Sequence, residues 1–167
     1  MILGICLEKG GFHYAVLDGT KGNPSIYERA KRVNPEPESY PGSARWFKSS
    51  IGQILRDNSI DGTVVKLHFK LANMNAMFTH GLPIGVISLC CAENGIPLST
   101  VSKAKLKGHT AFGLPKGTKA FEWVERFKDD APYWTDSCRT AILAGITELW
   151  PSFLQARWFS NIRSSSI

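Results

Sequence analysis

The sequence lacks the features that identify membrane or secreted proteins. It has no apolar run of the roughly 18 residues needed to cross a bilayer. Its first residues carry no positively charged start of a secretory signal. No internal repeat is visible, and 167 residues suit one domain with a substantial core. These absences predict a cytoplasmic protein with no membrane partner.

Cysteine is scarce, and its spacing is unsuited to metal binding. The four cysteines are Cys6, Cys90, Cys91 and Cys138. They form no Cys-x-x-Cys pair, the arrangement typical of zinc sites. An unpaired cysteine usually behaves as a small buried apolar residue. The sequence therefore predicts reduced, buried thiols and neither a disulfide framework nor a zinc site.

Acidic residues are outnumbered by basic ones. The chain has 20 Lys and Arg against 14 Asp and Glu, which gives a net charge of +6. A basic excess favours a polyanionic partner such as nucleic acid. The basic residues occur in short clusters along the chain and not as a single tail, and each cluster alone would also suit an ordinary solvated face.

The first third of the chain predicts three antiparallel strands. Apolar segments on both sides of Gly10 and Gly11 indicate a β-hairpin. A further segment over 26–33 alternates well enough to form a third strand. On that strand, the residues predicted to share one face are Ile26, Glu28, Ala30 and Arg32.

Helices and strands alternate in the rest of the chain. The predicted elements are a helix from Ser43 to 57, a strand over 63–69, a helix from Ile84, a strand over 96–102, a short basic helix, a helix capped by Thr118 and a last helix opened by Thr135 or Asp136. This order predicts an α/β fold over residues 1–150, with 151–167 as a C-terminal tail. Its mixed five-stranded sheet has three antiparallel and then parallel strands, with helices on both faces.

Five stretches, in chain order, resemble the RuvC-type Holliday-junction resolvases, a branch of the ribonuclease-H-like superfamily. They are "ILGICL" with "YAVLDG", "DGTVVK", "GVISLCCAENGIPLSTVSKAKLKG", "KGTKAFEWVERF" and "YWTDSCRTAILAG". The matches span most of the chain. The resemblance implies a ribonuclease-H-like fold and phosphodiester hydrolysis by two Mg²⁺ ions held by four carboxylates.

At three of the four positions where the resemblance implies a carboxylate, this sequence has a different residue type. The four positions fall on Cys6, Lys66, Asp136 and Arg139, so one acid remains and two positions carry cations. Mg²⁺ requires oxygen ligands and is repelled by nearby cations. These residues predict no metal cofactor. They suit an ion pair of Asp136 with Lys66 or Arg139, or a phosphate bound in place of the metals.

A relocated magnesium site is the alternative. Glu8 lies two residues beyond Cys6, on the same face of the strand. It would hold Mg²⁺ together with Asp136, assisted by Asp129 or Asp130. His68 is then a candidate general acid or base. On this hypothesis the protein is an active, structure-selective endonuclease.

The lysines fit the resemblance better than the acids do. The resemblance implies DNA contacts at Lys107 and Lys119, and their neighbours extend the set. The candidate nucleic-acid-binding lysines are Lys103, Lys105, Lys107, Lys116 and Lys119.

Phe112, in the loop between Lys107 and Lys116, either stacks on a base at a junction or anchors the loop to its own domain. The apolar helix from Ile84 is explained equally by a homodimer interface and by burial against the sheet.

The first interpretation is a RuvC-like pseudo-nuclease that binds branched or structured DNA or a protein partner. Small basic chains of this kind occur in phages and mobile elements. Two other hypotheses remain open. One is the active endonuclease, and the other is a protein-binding inhibitor module that contacts no nucleic acid.

Overall fold

A mixed five-stranded sheet forms the centre of the protein. The computed structural model describes residues 1–67, 76–128 and 134–149. The strands are β1 (Ile2–Glu8), β2 (Gly11–Gly19), β3 (Pro24–Val33), β4 (Gly62–Lys66) and β5 (Leu98–Val101). They lie in the order β3-β2-β1-β4-β5. The first three are antiparallel, and β4 and β5 run parallel to β1, which confirms the predicted sheet.

Helices of very different lengths connect and cover the strands. They are α1 (Tyr40–Asp57), α2 (Leu82–Glu93), α3 (Lys103–Lys107), α4 (Ala120–Trp123) and α5 (Asp136–Ile146). A π-helical turn, Met77–Gly81, precedes α2, and 3₁₀ turns cover Thr110–Phe112 and Val124–Phe127. Within the described ranges every helix is too short or too polar to span a bilayer.

The two faces of the sheet bury separate apolar clusters. On one face, Leu3, Ile5 and Leu7 of β1 pack with residues of α1 and α2. On the other, Ala15 and Leu17 of β2 pack with α5. Because the side chains of a strand alternate between the two faces of the sheet, β2 contributes to both clusters. Helices therefore lie on both faces, as predicted, and the four cysteines are unbonded and buried.

Helix α1 begins earlier than predicted. Its N-cap is Ser39, whose hydroxyl accepts a hydrogen bond from the Gly42 N–H at 3.1 Å. Pro41 is tolerated because the first helical N–H groups have no intrahelical partner. Ser43, the predicted cap, is buried and accepts a hydrogen bond from the Asn34 side chain at 2.7 Å.

The helix predicted after Thr118 is divided. Helix α4 ends at Trp123, and a 3₁₀ turn follows it. Lys119 occupies the N-cap and makes no capping hydrogen bond through its side chain. The predicted opening of the last helix is confirmed, since the Thr135 hydroxyl accepts a hydrogen bond from the Cys138 N–H at 3.2 Å.

A β-bulge in β3 overturns the predicted face pattern of that strand. The register passes from Val16 opposite Glu28 to Leu17 opposite Ile26, so Tyr27 is the extra residue. Ile26 consequently packs in the cluster under α5, whereas Ala30 packs in the cluster under α1 and α2. The prediction that Ile26 shares a face with Glu28, Ala30 and Arg32 is therefore wrong.

Some predictions fall on residues outside the described ranges. The strand predicted over 63–69 is β4, which ends at Lys66. His68, the candidate acid or base, lies outside the described residues, as do Asp129, Asp130 and the predicted tail over 151–167.

A glycine in β1 allows α5 to lie directly on the sheet. A Cβ atom at Gly4 would stand 2.1 Å from the carbonyl oxygen of Ala141 and 2.6 Å from the Gly145 nitrogen. Both are backbone atoms, so neither can rotate away. The contact fixes the height of α5 and places its first turn beside the end of β1.

We predict that Gly4→Ala destabilises the protein by about 3 kcal/mol, the upper part of the range for overpacking. Gly85→Ala is the control, because Gly85 is an exposed residue of α2 and the space that an alanine Cβ would occupy there is open. Alanine should stabilise that helix by about 1 kcal/mol. Urea unfolding measures both changes, and equal effects at the two sites would contradict the proposed backbone contact.

Candidate functional site: a cationic cavity at the end of strand β1

A row of polar side chains crosses the sheet near the end of β1. Cys6 lies opposite His13 of β2 on one side and beside Lys66 of β4 on the other. His13 in turn lies opposite Lys31 of β3. Paired residues present their side chains on the same face of a sheet. Since Gly4 contacts α5, the alternation along β1 directs Cys6 to the face that α5 covers.

A cavity of about 400 Å³ lies between this row and the first turn of α5. Its charged lining consists of Glu8, Lys9, Lys66, Lys103 and Asp136. Three of the four implied carboxylate positions therefore meet in one place: Cys6, Lys66 and Asp136. His80, from the turn before α2, and Lys9 also line the cavity. Sequence reasoning missed both, because only the fold brings their elements here.

The Cys6 thiol keeps its proton at neutral pH. Burial raises the pKa of Cys6 from 9.0 to about 11, partly opposed by the nearby ammonium of Lys66 and a hydrogen bond with Ser137. Only a thiolate acts as a metal ligand or a nucleophile. Cys6 is therefore a neutral, apolar element of the cavity wall.

Asp136 and Arg139 form an ion pair, one of the two arrangements predicted from the sequence. They lie one helical turn apart at the start of α5. The Arg139 guanidinium also pairs with Glu125, which accepts a hydrogen bond from the Trp134 indole at 2.8 Å. Arg139 is thus shared by two carboxylates and ties α5 to the preceding turn.

Glu8 also has a cationic partner, Lys31, and lies beside His13. One carboxylate oxygen lies 2.5 Å from the Lys31 ammonium, and the other lies 3.4 Å from Nε2 of His13. His13 is buried, and this burial lowers its pKa below 6.5, with Glu8 acting in the opposite direction. Glu8 and Asp136 line the same cavity, yet each already has a cationic partner.

The residues at the four implied positions do not fit two Mg²⁺ ions. They supply one carboxylate, one protonated thiol and two cations, whereas Mg²⁺ takes oxygen ligands. Across 1–67, 76–128 and 134–149, no three His, Cys, Asp or Glu side chains are placed to hold a metal ion. The relocated site with Asp129 or Asp130 extends outside these ranges and stays a hypothesis.

The predicted nucleic-acid-binding lysines lie beside the cavity and on the adjoining surface. Lys103, Lys105 and Lys107 are exposed on α3, whose N-cap Ser102 accepts a hydrogen bond from the Lys105 N–H at 3.1 Å. Lys103 lines the cavity as well, so α3 joins the two regions. Lys116 and Lys119 are exposed in the loop that follows, where Lys119 pairs with Glu122 at 2.7 Å.

Phe112 does not present its ring to a ligand. It is 0% exposed and packs in the cluster formed by α5 and β2. The assignment of Phe112 as a nucleic-acid-binding residue is therefore wrong, and the other predicted role, that of a loop anchor, agrees with its burial. The signal that misled was an aromatic residue in a glycine-containing loop, a pattern common to both roles.

Helix α2 presents two different sides. Ile87, Cys90 and Cys91 are buried in the core beside α1. Leu89 is 49% exposed. Burial against its own domain thus accounts for one side of α2, and the homodimer stays a prediction.

We predict that Cys6 makes stability fall at alkaline pH. Its folded pKa of about 11 exceeds the ordinary 9.0. The stabilisation of the folded state by the protonated Cys6 thiol is therefore complete below pH 9 and is lost as the pH rises towards 11. Over this window the free energy of unfolding of the wild type should fall by about 2–3 kcal/mol relative to Cys6→Ala. Urea titrations at several pH values measure this difference, and a constant difference would show that the Cys6 pKa is not raised.

Comparison with solved structures identifies the fold. Thermus thermophilus RuvC in complex with a Holliday junction substrate is 13% identical with a TM-score of 0.71, and the match covers 94% of each chain. The yeast mitochondrial Holliday junction resolvase Ydc2 is 10% identical with a TM-score of 0.62, over 98% of this chain and 80% of that one. Fowlpox virus resolvase, with its Holliday junction DNA, is 10% identical with a TM-score of 0.51, over 89% and 98%.

No protein-family model and no curated protein sequence matched the chain. The similarity to solved structures therefore carries the assignment, and it extends over nearly the whole chain. As the resemblance of its motifs predicted, the protein has the RuvC-like form of the ribonuclease-H-like fold.

Proposed function

We propose that this protein binds branched or structured nucleic acid and does not hydrolyse it. The observation that carries the proposal is the charge of the cavity at the end of β1. There Lys66 lies beside Cys6, at two positions where the resemblance implies carboxylates. The fold supplies the scaffold of a nuclease, while the side chains at this place favour an anion over a cation.

The magnitude of the charge effect supports binding without hydrolysis. Two unit charges 4 Å apart interact by about 4 kcal/mol at an effective dielectric constant near 20. A divalent cation near Lys66 is repelled on this scale, and a phosphate is attracted. Glu8 and Asp136 do little to reverse this, because Lys31 and Arg139 already pair with them.

The basic surface beside the cavity supports a nucleic-acid partner. Exposed lysines on α3 and in the next loop can contact phosphates in any base sequence. The solved RuvC and Fowlpox virus resolvase complexes contain Holliday junctions, so a four-way junction is the first substrate to test. The same charge would also suit an acidic protein partner, which is the alternative of an inhibitor module from a phage or mobile element.

We predict that the protein retards a four-way junction in EDTA and leaves it uncut in Mg²⁺ or Mn²⁺. Replacing Lys105 and Lys107 with alanine should reduce the slope of log K against log salt by about 2, since each phosphate contact contributes about 0.9. Lys48→Ala is the control, because Lys48 is an exposed α1 residue on the other face of the sheet. Failure to bind any junction or duplex at low salt would overturn the proposal in favour of a protein partner.

A second experiment tests the loss of hydrolysis. Restoring acids with Cys6→Asp, Lys66→Glu and Arg139→Asp should raise Mg²⁺-dependent junction cleavage from undetectable to measurable, because the donor set then suits Mg²⁺. Thermal unfolding checks that the triple variant is folded. Asp136→Ala in the wild-type background should leave the absence of cleavage unchanged. If instead the wild type cleaves the junction and Asp136→Ala abolishes cleavage, the relocated-acid endonuclease is correct.

A further inference from the structure

We infer that the cavity at the end of β1 binds a phosphate group directly, through Lys66 and Lys103, with no metal ion between them. This inference rests on the proposed function, because it names the group of the nucleic acid that the cavity takes. It concerns the cavity, which shares Lys103 with the exposed lysine surface, and its test is separate.

Three lysines reach the cavity from three elements. Lys66 ends β4, Lys103 opens α3 and Lys9 follows β1 in the hairpin turn. The cavity of about 400 Å³ is open and large enough for a phosphate and part of the sugar that carries it. Lysines from separate elements border one space here, unlike lysines along one helix face.

The carboxylates of the lining do not cancel this charge. Glu8 pairs with Lys31 of β3, and Asp136 pairs with Arg139, one turn further along α5, which it shares with Glu125. The lysines therefore set the sign of the field inside the cavity, and an anion is the complementary ligand.

The first turn of α5 adds neutral donors and a partial positive charge. Ser137 and Thr140 line the cavity and carry hydroxyl groups. The eleven-residue α5 begins here, so the positive end of its dipole lies at the cavity. Phosphate oxygens accept hydrogen bonds from such groups, so the site favours an oxyanion over an apolar ligand.

Lys66 is the most buried of the three lysines that line the cavity. Its ammonium is partly buried, and this burial lowers its pKa below the ordinary 10.5. A bound anion favours the charged form of a buried amine. Phosphate binding and protonation of Lys66 therefore stabilise each other.

The test measures phosphate binding by the full chain in EDTA, by calorimetry with inorganic phosphate and with pyrophosphate. Lys66→Met and Lys103→Met should each weaken binding at least tenfold. Lys48→Met is the control, because Lys48 is exposed on α1, on the other face of the sheet and outside the described cavity lining. It should change affinity less than twofold. Lys103 is exposed, so its variant tests the site even if Lys66→Met fails to fold.

Competition identifies the source of the phosphate. A single-stranded oligonucleotide should displace pyrophosphate. Displacement only by a strand that carries a 5′-phosphate indicates that the cavity takes a terminal monoester. Displacement by strands with and without a 5′-phosphate indicates an internal diester. Both outcomes support the inference. A strand that binds the protein yet never displaces pyrophosphate overturns the nucleic-acid source.

The outcomes separate this inference from the proposed function. Phosphate binding that depends on Lys66 and Lys103 upholds the inference even if no junction is bound. Junction binding without phosphate binding in EDTA overturns it, as does phosphate binding that requires added Mg²⁺ or is unchanged in both lysine variants.

Discussion

The close approach of α5 to β1 at Gly4 is the constraint on which the site depends. Backbone atoms of Ala141 and Gly145 occupy the space that a side chain at Gly4 would fill. The helix therefore lies low over the sheet, and its first turn comes to the end of β1. Side chains far apart in the sequence, such as Cys6 and Asp136, consequently line one cavity.

The ends of β1 and β4 can carry side chains of either charge in the same backbone geometry. Carboxylates at the ends of β1 and β4 would gather divalent cations, whereas Cys6 and Lys66 place a neutral thiol and an ammonium there. Of the remaining acids, Glu8 pairs with Lys31 of β3, and Asp136 pairs with Arg139 of its own helix. A few side chains thus set the charge at this place, while the backbone has the fold of the solved resolvases.

The succession of strands and helices along the chain could be predicted because it follows from local patterns, namely a glycine hairpin and alternating helices and strands. Details that depend on pairing between strands could not. The bulge at Tyr27 depends on the register between β3 and β2. The ion pair between Glu8 and Lys31 joins β1 to β3, with β2 between them. Phe112 was misassigned because the burial of a loop residue depends on the helix that packs over it.

The bulge at Tyr27 also affects how copies of the protein meet. β3 is a ten-residue outer strand, and a regular outer strand offers its backbone as a template for further strands. The extra residue interrupts the ladder in mid-strand, and Arg29, Lys31 and Arg32 add like charges along it. The bulge and these charges therefore disfavour edge-to-edge pairing of β3 with the same strand of a second copy.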